Sequence, residues 1–197
     1  MPSETDFETM SERILSAQAQ RRLRSHLKRG GLVAYPTESC YGLGCLPVQP
    51  RALRRLVGLK KRPQHKGMIV IGSSLAQLLP LINRPSEPVQ AMLQCEWPAP
   101  KTFLLASKRN IPPLLRGKGR GKLAVRVPQL SSARQLCRVL DTPLVSTSCN
   151  RAGKRPCKNE REVRRQFGRN VWVVGGRIGR QKTPSQIIDA DTGKRLR

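Results

Sequence analysis

Short apolar runs alternate along this chain with segments whose apolar residues recur at helical spacing. Runs such as Leu32 to Tyr35 and Leu144 to Ser148 have the length and composition of buried strands. Between them, stretches such as Pro50 to Lys61 repeat leucine every third residue, which is typical of an amphipathic helix. Strands that alternate with helices predict an α/β or α+β fold with helices around a twisted mixed sheet.

The predicted elements occupy most of the sequence, and residues 1–197 are therefore interpreted as a single domain. Helices are predicted over Met1 to Arg29, Pro50 to Lys61, Leu75 to Ile82, Val89 to Trp97, Ser131 to Leu140 and Glu160 to Phe167. Strands are predicted over Leu32 to Tyr35, Met68 to Ile71, Thr102 to Ala106, Leu123 to Val127, Leu144 to Ser148, Val171 to Val174 and Gln186 to Asp189.

Three local predictions follow from turn and capping chemistry. Pro36 to Pro47 is rich in small and turn-forming residues and is predicted to be a loop. The glycine-rich stretch from Arg109 to Lys122 is predicted to be a mobile basic loop. Ser131 or Ser132 is expected to cap the helix that reaches Leu140.

The balance of charge points to a polyanionic partner. The chain has 38 Lys and Arg residues against 12 Asp and Glu residues, which gives a net charge of +26. A field of this size attracts polyanions, and nucleic acid is the expected one. A basic surface that only aids solubility is the alternative, but it accounts less well for so large a charge.

Cysteine usage and hydropathy bear on the compartment. Six cysteines are present, none forms a Cys-x-x-Cys pair, and only two histidines accompany them, so a zinc site is not expected. Met1 to Glu12 is polar and acidic, unlike a secretory signal, and no apolar run approaches the ~20 residues that span a bilayer. A cytoplasmic protein with free thiols and no membrane association is expected.

Three polar stretches follow or adjoin predicted strands, where ligands gather in open α/β sheets. They are Pro36-Thr37-Glu38-Ser39, Lys60-Lys61-Arg62-Pro63 and Ser146-Thr147-Ser148-Cys149-Asn150. Hydroxyl-rich loops offer N–H and O–H donors to phosphates, and Lys beside Arg supplies charge for oxyanions. Taken singly, each stretch is better explained as an ordinary helix end or turn.

Other catalytic patterns are absent from the sequence. There is no Gly-x-x-x-x-Gly-Lys-Ser/Thr phosphate loop, and Gly42-Leu43-Gly44 lacks the third glycine of a dinucleotide-binding motif. There is no Gly-x-Ser-x-Gly elbow, and two histidines make a Ser-His-Asp triad improbable. Carboxylates are too few and scattered for a metal site built by the protein, so magnesium would have to arrive on a phosphate.

Six motifs, each weak alone, occur in order along essentially the whole chain. They are Val33 to Glu38 with Tyr41 to Gly44, Leu59 to Pro63 with Lys66-Gly67, Trp97 to Phe103, Leu123 to Val127, Pro143 to Asn150, and Pro184 to Asp189. Together they resemble the TsaC/YrdC family of threonylcarbamoyl-AMP synthases, most closely its short bacterial form. Two features depart from that family: the basic loop Arg151 to Pro156, and Cys149 where alanine is usual.

The resemblance implies a fold and a reaction. The fold is a twisted mixed sheet with helices around a concave basic cavity. The reaction makes threonylcarbamoyl-adenylate from L-threonine, bicarbonate and ATP, releases pyrophosphate, and serves the threonylcarbamoyl modification of tRNA adenosine. ATP is then a substrate with Mg2+ carried by its phosphates, and the partners are tRNA or other RNA and the other threonylcarbamoyl-transfer proteins. The extra C-terminal domain of a longer sister form is expected to be absent.

The resemblance also assigns residues to the site. The catalytic residues are Lys60, Arg62, Ser148 and Asn150. The ATP-binding residues are Lys60, Arg62, Lys66, Ser148 and Arg197, with Arg195 as the alternative to the last. The threonine-binding residues are Thr37, Arg126, Ser146 and Ser185. In this hypothesis the site acts by positioning and by neutralising phosphate charge, not through a protein nucleophile.

Two other functions stay open. The charge of +26 also suits an RNA-binding or ribosome-maturation module without adenylylation activity. An acyl-transfer accessory related to carbamoyl-phosphate chemistry is the third possibility. Turnover of ATP that depends on threonine distinguishes the synthase from both.

Overall fold

The computed structural model of the chain describes residues 15–63 and 65–197. In these residues eight strands form one mixed sheet. The strands are β1 (Val33–Pro36), β2 (Tyr41–Gly44), β3 (Ile69–Ile71), β4 (Lys101–Ala106), β5 (Lys122–Arg126), β6 (Leu144–Ser148), β7 (Trp172–Val173) and β8 (Gln186–Asp189). Their order across the sheet is β7-β1-β2-β6-β3-β5-β4-β8.

Parallel and antiparallel pairings are mixed within this sheet. β7 runs parallel to β1, β3 to β5, and β8 to β4, while the remaining neighbours are antiparallel. The central strands β2, β6 and β3 carry or adjoin the three polar stretches of the sequence. The predicted α/β class with a twisted mixed sheet is confirmed.

Helices connect the strands and cover both faces of the sheet. They are α1 (Ala17–Lys28), α2 (Pro50–Lys60), α3 (Leu75–Leu78), α4 (Glu87–Glu96), α5 (Pro113–Arg116), α6 (Ser131–Leu140) and α7 (Glu160–Phe167), with single 3-10 turns at Leu79–Leu81 and Gly168–Asn170. No helix among the described residues is both long enough and apolar enough to cross a membrane.

The core lies in two clusters, one on each face of the sheet. One face packs Val33 and Tyr35 of β1 against leucines of α1 and α6, such as Leu23 and Leu136. The intervening Ala34 belongs to the larger cluster on the other face, which α2, α4 and α7 cover. This alternation is the consequence of side chains that point to opposite faces along a strand.

Two sequence predictions about loops are wrong. Within Pro36 to Pro47, residues 41–44 form β2 between β1 and β6. A Cβ atom at Gly44 would lie 1.8 Å from the carbonyl oxygen of Val145, so glycine permits this close strand pairing. Within Arg109 to Lys122, residues 113–116 form α5, whose Leu115 is fully buried.

The helix ends bring one further correction. Ser131 is the first residue of α6, and Leu130 occupies the cap position without a side-chain hydrogen bond, so the predicted serine cap is wrong. The first predicted helix is confirmed over Ala17–Lys28. Its residues 1–14 lie outside the described part of the chain.

Candidate active site

Helix α2 places Lys60 in the interior and then ends at once. Pro50 occupies the first turn and Gln49 caps it, with the Gln49 side chain accepting from the Arg51 amide at 3.0 Å. Lys61 adopts the left-handed conformation, with φ of 50°, and terminates the helix. As a result Lys60 is only 6% exposed, whereas Lys61 points to solvent.

The ammonium group of Lys60 holds the loop that follows β6. It donates to the carbonyl oxygen of Ser148, to the carbonyl oxygen of Asn150 at 2.9 Å, and to Asn150 Oδ1 at 3.3 Å. Ser148 Oγ donates to the same Asn150 Oδ1 at 2.7 Å. The structure thus brings together Lys60, Ser148 and Asn150. The N–H groups of the Lys60 ammonium all donate to this loop and hold its conformation.

Burial changes the acid–base behaviour of Lys60. Desolvation, with a smaller repulsion from Arg62, lowers the pKa of Lys60 to about 8. The amine is therefore mostly protonated at neutral pH and loses its proton about one pH unit above it. An anion bound nearby would restore its charge, because a negative neighbour favours the protonated form.

Arg62 faces a separate, strongly basic pocket of about 660 Å³. Its basic lining residues are Arg62, Arg116, Arg120, Lys122 and Arg197, and its apolar ones are Met68, Ile69, Leu104, Ala124, Ile187 and Leu196. Arg62 is held in place by the carbonyl oxygen of Gly67, to which its Nη2 donates at 2.7 Å. This volume and lining suit a small anionic ligand with an apolar part.

The arginines of this pocket repel one another. Burial and then the nearby Arg197 lower the pKa of Arg62, while burial and then Arg126 lower that of Arg197. Of the basic lining residues, Lys122 is the one with ion pairs among the described residues, to Asp189 and Asp191 at 2.7 Å. A bound polyphosphate would relieve this repulsion.

The structure distinguishes Arg197 from Arg195, the two candidates for the C-terminal contact to the nucleotide. Arg197 lines the pocket, and its Nη2 donates to the carbonyl oxygen of Ser185 at 3.0 Å. Arg195 does not line it and donates to the carbonyl oxygen of Arg197. Lys66 is exposed and outside the lining set, and its backbone carbonyl accepts from Arg62 Nε at 3.3 Å.

Arg126 lies in a buried ion pair with Glu38. Arg126 Nη2 and Glu38 Oε2 are 2.6 Å apart, and both side chains are 8% exposed. Glu38 Oε1 also accepts from the amide of Gln129 at 2.8 Å. The Nε of Arg126 is buried without a hydrogen-bond partner, which is uncommon for a buried donor. Such an N–H is available to a carboxylate ligand.

Thr37 and Ser146 meet above a glycine of β2. A Cβ atom at Gly42 would lie 3.0 Å from Thr37 Cγ2 and 3.2 Å from Ser146 Oγ. Thr37 Oγ1 donates to the carbonyl oxygen of Cys40 at 2.7 Å, which fixes its rotamer and leaves its methyl group toward Gly42. A side chain at residue 42 would therefore crowd both Thr37 and Ser146.

Ser185 joins the two halves of the site. Its Oγ lies 2.9 Å from Thr102 Oγ1, and its carbonyl oxygen accepts from Arg197. Arg197 in turn lies close enough to Arg126 for the charge of Arg126 to lower the pKa of Arg197. Ser185 and the electrostatic influence of Arg126 on Arg197 thus link the basic pocket to the surroundings of Arg126.

Three site features escaped the sequence assignment. Glu38, Thr102 and Gly42 each contact an assigned residue, yet received no role of their own. The available signal was their position inside the motifs Val33 to Glu38, Trp97 to Phe103 and Tyr41 to Gly44. Among the described residues, no group of three or more His, Cys, Asp or Glu side chains is placed to hold a metal ion.

All of these residues lie within a stretch that matches a known protein family. The model of the Sua5/YciO/YrdC family, which carries the description "Telomere recombination", matches residues 25–197. The chain belongs to the Sua5/YciO/YrdC family. The resemblance to the YrdC-like family is thereby confirmed.

Relatives in this family are similar over nearly the whole chain. A protein of Neisseria gonorrhoeae named threonylcarbamoyl-AMP synthase is 71% identical over 185 residues, which are 94% of this chain and 98% of the relative. A protein of the same name from Chromobacterium violaceum is 47% identical, with 94% and 95% covered.

A solved structure extends the comparison to a threonine complex. P. abyssi Sua5 complexed with L-threonine superposes with a TM-score of 0.78 at 29% identity, over 87% of this chain. The chain spans about half the length of that protein, 51%. The Sua5/YciO/YrdC fold is thus shared with a protein that binds L-threonine.

Proposed function

We propose that this chain is a threonylcarbamoyl-AMP synthase, which joins L-threonine, bicarbonate and ATP into threonylcarbamoyl-adenylate and releases pyrophosphate. The observation that carries the proposal is a basic pocket whose Arg197 lies within electrostatic reach of Arg126, a buried arginine with an unpartnered Nε–H. The shared name of relatives that are 71% and 47% identical over nearly their full lengths supports it.

ATP would place its phosphates against the arginines of the basic pocket. Arg62 and Arg197 have no carboxylate partner among the described residues, so the phosphates would supply their counter-charge. Lys60 would hold the Ser148–Asn150 loop and add its charge to the phosphate side of the site. A magnesium ion would arrive on the triphosphate and neutralise part of its charge.

L-Threonine would bind between β1, β5 and β6. The unpartnered Nε–H of Arg126 is a donor for the carboxylate, and Glu38 keeps the guanidinium in place. Thr37, Ser146 and Gly42 pack closely together and would leave room only for a small substrate side chain. Ser185 and Thr102 would orient the amino acid from the side of β8 and β4.

The chemistry needs alignment more than it needs a protein nucleophile. The threonine nitrogen attacks carbon dioxide derived from bicarbonate and loses a proton, which gives a carbamate. A carbamate oxygen then attacks the α-phosphorus of ATP, and the bond to the β-phosphate oxygen breaks. Pyrophosphate leaves with the bonding electrons, and Arg62 and Lys60 would stabilise its developing charge.

The wider setting is proposed from the same reaction. Threonylcarbamoyl-adenylate would be consumed in the threonylcarbamoyl modification of tRNA adenosine, by other threonylcarbamoyl-transfer proteins in the cytoplasm. An RNA-binding module without adenylylation activity is the alternative, and the charge of +26 favours it. The grouping of Lys60 with Ser148 and Asn150, and the nearby basic pocket, favour the synthase.

Pyrophosphate release by the purified protein tests the proposal. We expect release that requires ATP, L-threonine and bicarbonate together, and that falls to background when any one is omitted. D-Threonine is the matched control, because it has the same groups in the wrong arrangement for Arg126 and Thr37. Release that ignores threonine would overturn the synthase, and no release under any condition would favour the RNA-binding alternative.

ATP affinity should depend on pH through Lys60. In the free protein the pKa of Lys60 is lowered to about 8, so its charge is lost as pH rises through that value. We expect ATP binding without threonine to weaken by about tenfold per unit above pH 8, until the pKa of the complex is reached. Titrations between about pH 6.5 and 9.5 measure this, and Lys60→Met removes the titrating group.

The lowered pKa of Lys60 also makes the stability of the folded protein depend on pH. Below about pH 8 both folded and unfolded chains carry a charged Lys60, so the cost of burying it is fully present. That cost disappears as the folded chain deprotonates between about pH 8 and the ordinary lysine pKa of 10.5, so the contribution of Lys60 to stability rises over this range. An ATP affinity that is flat across pH 8 in the native protein, or that falls equally in Lys60→Met, would contradict the assignment.

A further inference from the structure

A segment between β7 and β8 runs beside the Pro36-Thr37-Glu38 motif of the site. It consists of residues 175–183, all of them exposed or half-buried, and we call it the β7–β8 strap. β7 lies parallel to β1, and just beyond β7 the amide of Val174 donates to the carbonyl oxygen of Ala34 at 2.8 Å. The strap follows and leads to Ser185, which precedes β8. It therefore links two parts of the proposed threonine site.

Two backbone hydrogen bonds join the strap to the motif. The amide of Gly179 donates to the carbonyl oxygen of Thr37 at 3.0 Å. The amide of Gln181 donates to the carbonyl oxygen of Glu38 at 3.1 Å. The strap thus holds the backbone of both residues, although its own side chains do not form these bonds.

Two further contacts fix the start of the strap to the rest of the fold. The hydroxyl of Tyr41, in β2, donates to the carbonyl oxygen of Gly176 at 2.8 Å. Ile178 packs against the larger core cluster. These contacts determine where the strap lies, so that it can in turn hold the motif.

The strap approaches the motif so closely that residue 179 has no room for a side chain. A Cβ atom at Gly179 would lie 2.7 Å from the carbonyl oxygen of Glu38 and 2.9 Å from its Cα atom. Both are backbone atoms, which cannot rotate away as the end of a flexible side chain can. Any side chain at this position would therefore push the strap and Glu38 apart.

The position of Glu38 matters because its carboxylate holds Arg126. Arg126 Nη2 donates to Glu38 Oε2 at 2.6 Å, and the Nε of Arg126 is the buried donor without a partner. A displacement of the Glu38 backbone would move the carboxylate, and the paired guanidinium would move with it. The free Nε–H would then point in a different direction.

We propose that the β7–β8 strap positions Thr37 and Glu38 for the binding of L-threonine, with Gly179 as the positioning residue. The inference rests on the proposed function, in which Arg126 receives the threonine carboxylate. A misplacement of about 1 Å in a binding group can cost as much as 10²-fold. ATP binding should be independent of the strap, because none of residues 175–183, all within the described part of the chain, lines the basic pocket.

The test compares Gly179→Ala with Gly58→Ala in the full chain. Gly58 lies within α2, and a Cβ atom there would meet no other described atom within 4 Å. Alanine at residue 58 therefore adds the same methyl group without a clash, in a helix that tolerates it well. Calorimetry measures the dissociation constants of L-threonine and of ATP separately, so that the result does not depend on turnover.

We expect Gly179→Ala to bind L-threonine at least about tenfold more weakly and ATP within about twofold of the native protein. Gly58→Ala should change neither affinity by more than about twofold. Tyr41→Phe is a milder second variant, which keeps the buried ring and removes only the hydroxyl that donates to Gly176. The loss of one hydrogen bond to the strap should weaken threonine binding by about threefold and again spare ATP.

The coupling must also act in the opposite direction, because linkage between two sites is reciprocal. Saturating L-threonine should slow the hydrogen exchange of the Gly179 and Gln181 amides in the native protein. ATP alone should leave their exchange unchanged. Mass spectrometry of peptides that cover residues 175–183 measures both effects.

Three outcomes would overturn the role of the strap. They are unchanged threonine affinity in Gly179→Ala and Tyr41→Phe, equal losses for threonine and ATP, and strap exchange that ignores threonine. A native protein that binds no L-threonine would overturn the proposed function together with the strap. A native protein that binds L-threonine but releases no pyrophosphate would overturn the synthase alone, and the comparison of variants would still decide the role of the strap.

Discussion

Replacing Lys60 with methionine is expected to reduce pyrophosphate release by roughly a hundredfold or more. The methylene stem and its packing are retained, so the change removes the ammonium group alone. Without it the carbonyl oxygens of Ser148 and Asn150 lose a charged donor, and the loop after β6 loses its anchor. Loss of one preorganised charged contact at a reacting group typically costs 10²–10³ in rate.

Lys61→Met is the matched control for this variant. Lys61 is adjacent in sequence and exposed, and methionine tolerates its left-handed backbone no worse than lysine does. We expect the control to keep pyrophosphate release within about twofold of the native protein, since an exposed charge contributes little. Measured kcat separates the cases, and equal losses in both variants would show that general charge, not the Lys60 contacts, sustains the reaction.

The strand and helix pattern of the sequence predicted most of the fold. The limits Glu160–Phe167 and Gln186–Asp189 agree with the structure, because each segment has a clear period and a clear boundary. β2 was missed because Gly42 and Gly44 are typical of turns. Their role becomes visible only when β6 lies against them, where the carbonyl of Val145 leaves no room for a side chain at residue 44.

The site was predictable to the extent that its residues lie within short motifs. Lys60 and the Ser148–Asn150 loop meet as the motifs implied, although 88 residues separate Lys60 from Ser148. That Lys60 donates to backbone carbonyls could not be predicted, and the sequence favoured Arg197 over Arg195 as the nucleotide-site residue without distinguishing them fully. Both depend on distances across the sheet, which sequence spacing does not encode. The roles of the individual residues stay predictions.

The pairing of Glu38 with Arg126 was also beyond the sequence. The two residues are 88 positions apart, and a carboxylate in a Pro-Thr-Glu segment is equally typical of a helix start. The folded chain brings them together, and Arg126 Nη2 donates to Glu38 Oε2 at 2.6 Å. Loss of one partner of a buried ion pair strongly destabilises the folded state, because the other charge stays buried and unpaired.

Arg126→Met is accordingly expected to affect both stability and threonine use. It leaves Glu38 buried with a charge and without its guanidinium partner, which typically costs about 3–5 kcal/mol of unfolding free energy. For a chain of this size we expect the melting temperature to fall by roughly 10 °C. It also removes the free Nε–H that would bind the threonine carboxylate, so the KM for threonine should rise while the affinity for ATP, measured separately, changes little.

The double variant Glu38→Gln with Arg126→Met separates the two effects. Removing the stranded carboxylate should restore about half or more of the lost stability, because the buried charge is the main cost. It should not restore threonine use, since the donor to the substrate is still absent. Arg164→Met, which breaks the exposed pair with Glu160, is the control and should shift the melting temperature by less than about 2 °C. If the double variant recovers threonine turnover as well as stability, Arg126 acts through the fold alone and does not bind the substrate carboxylate.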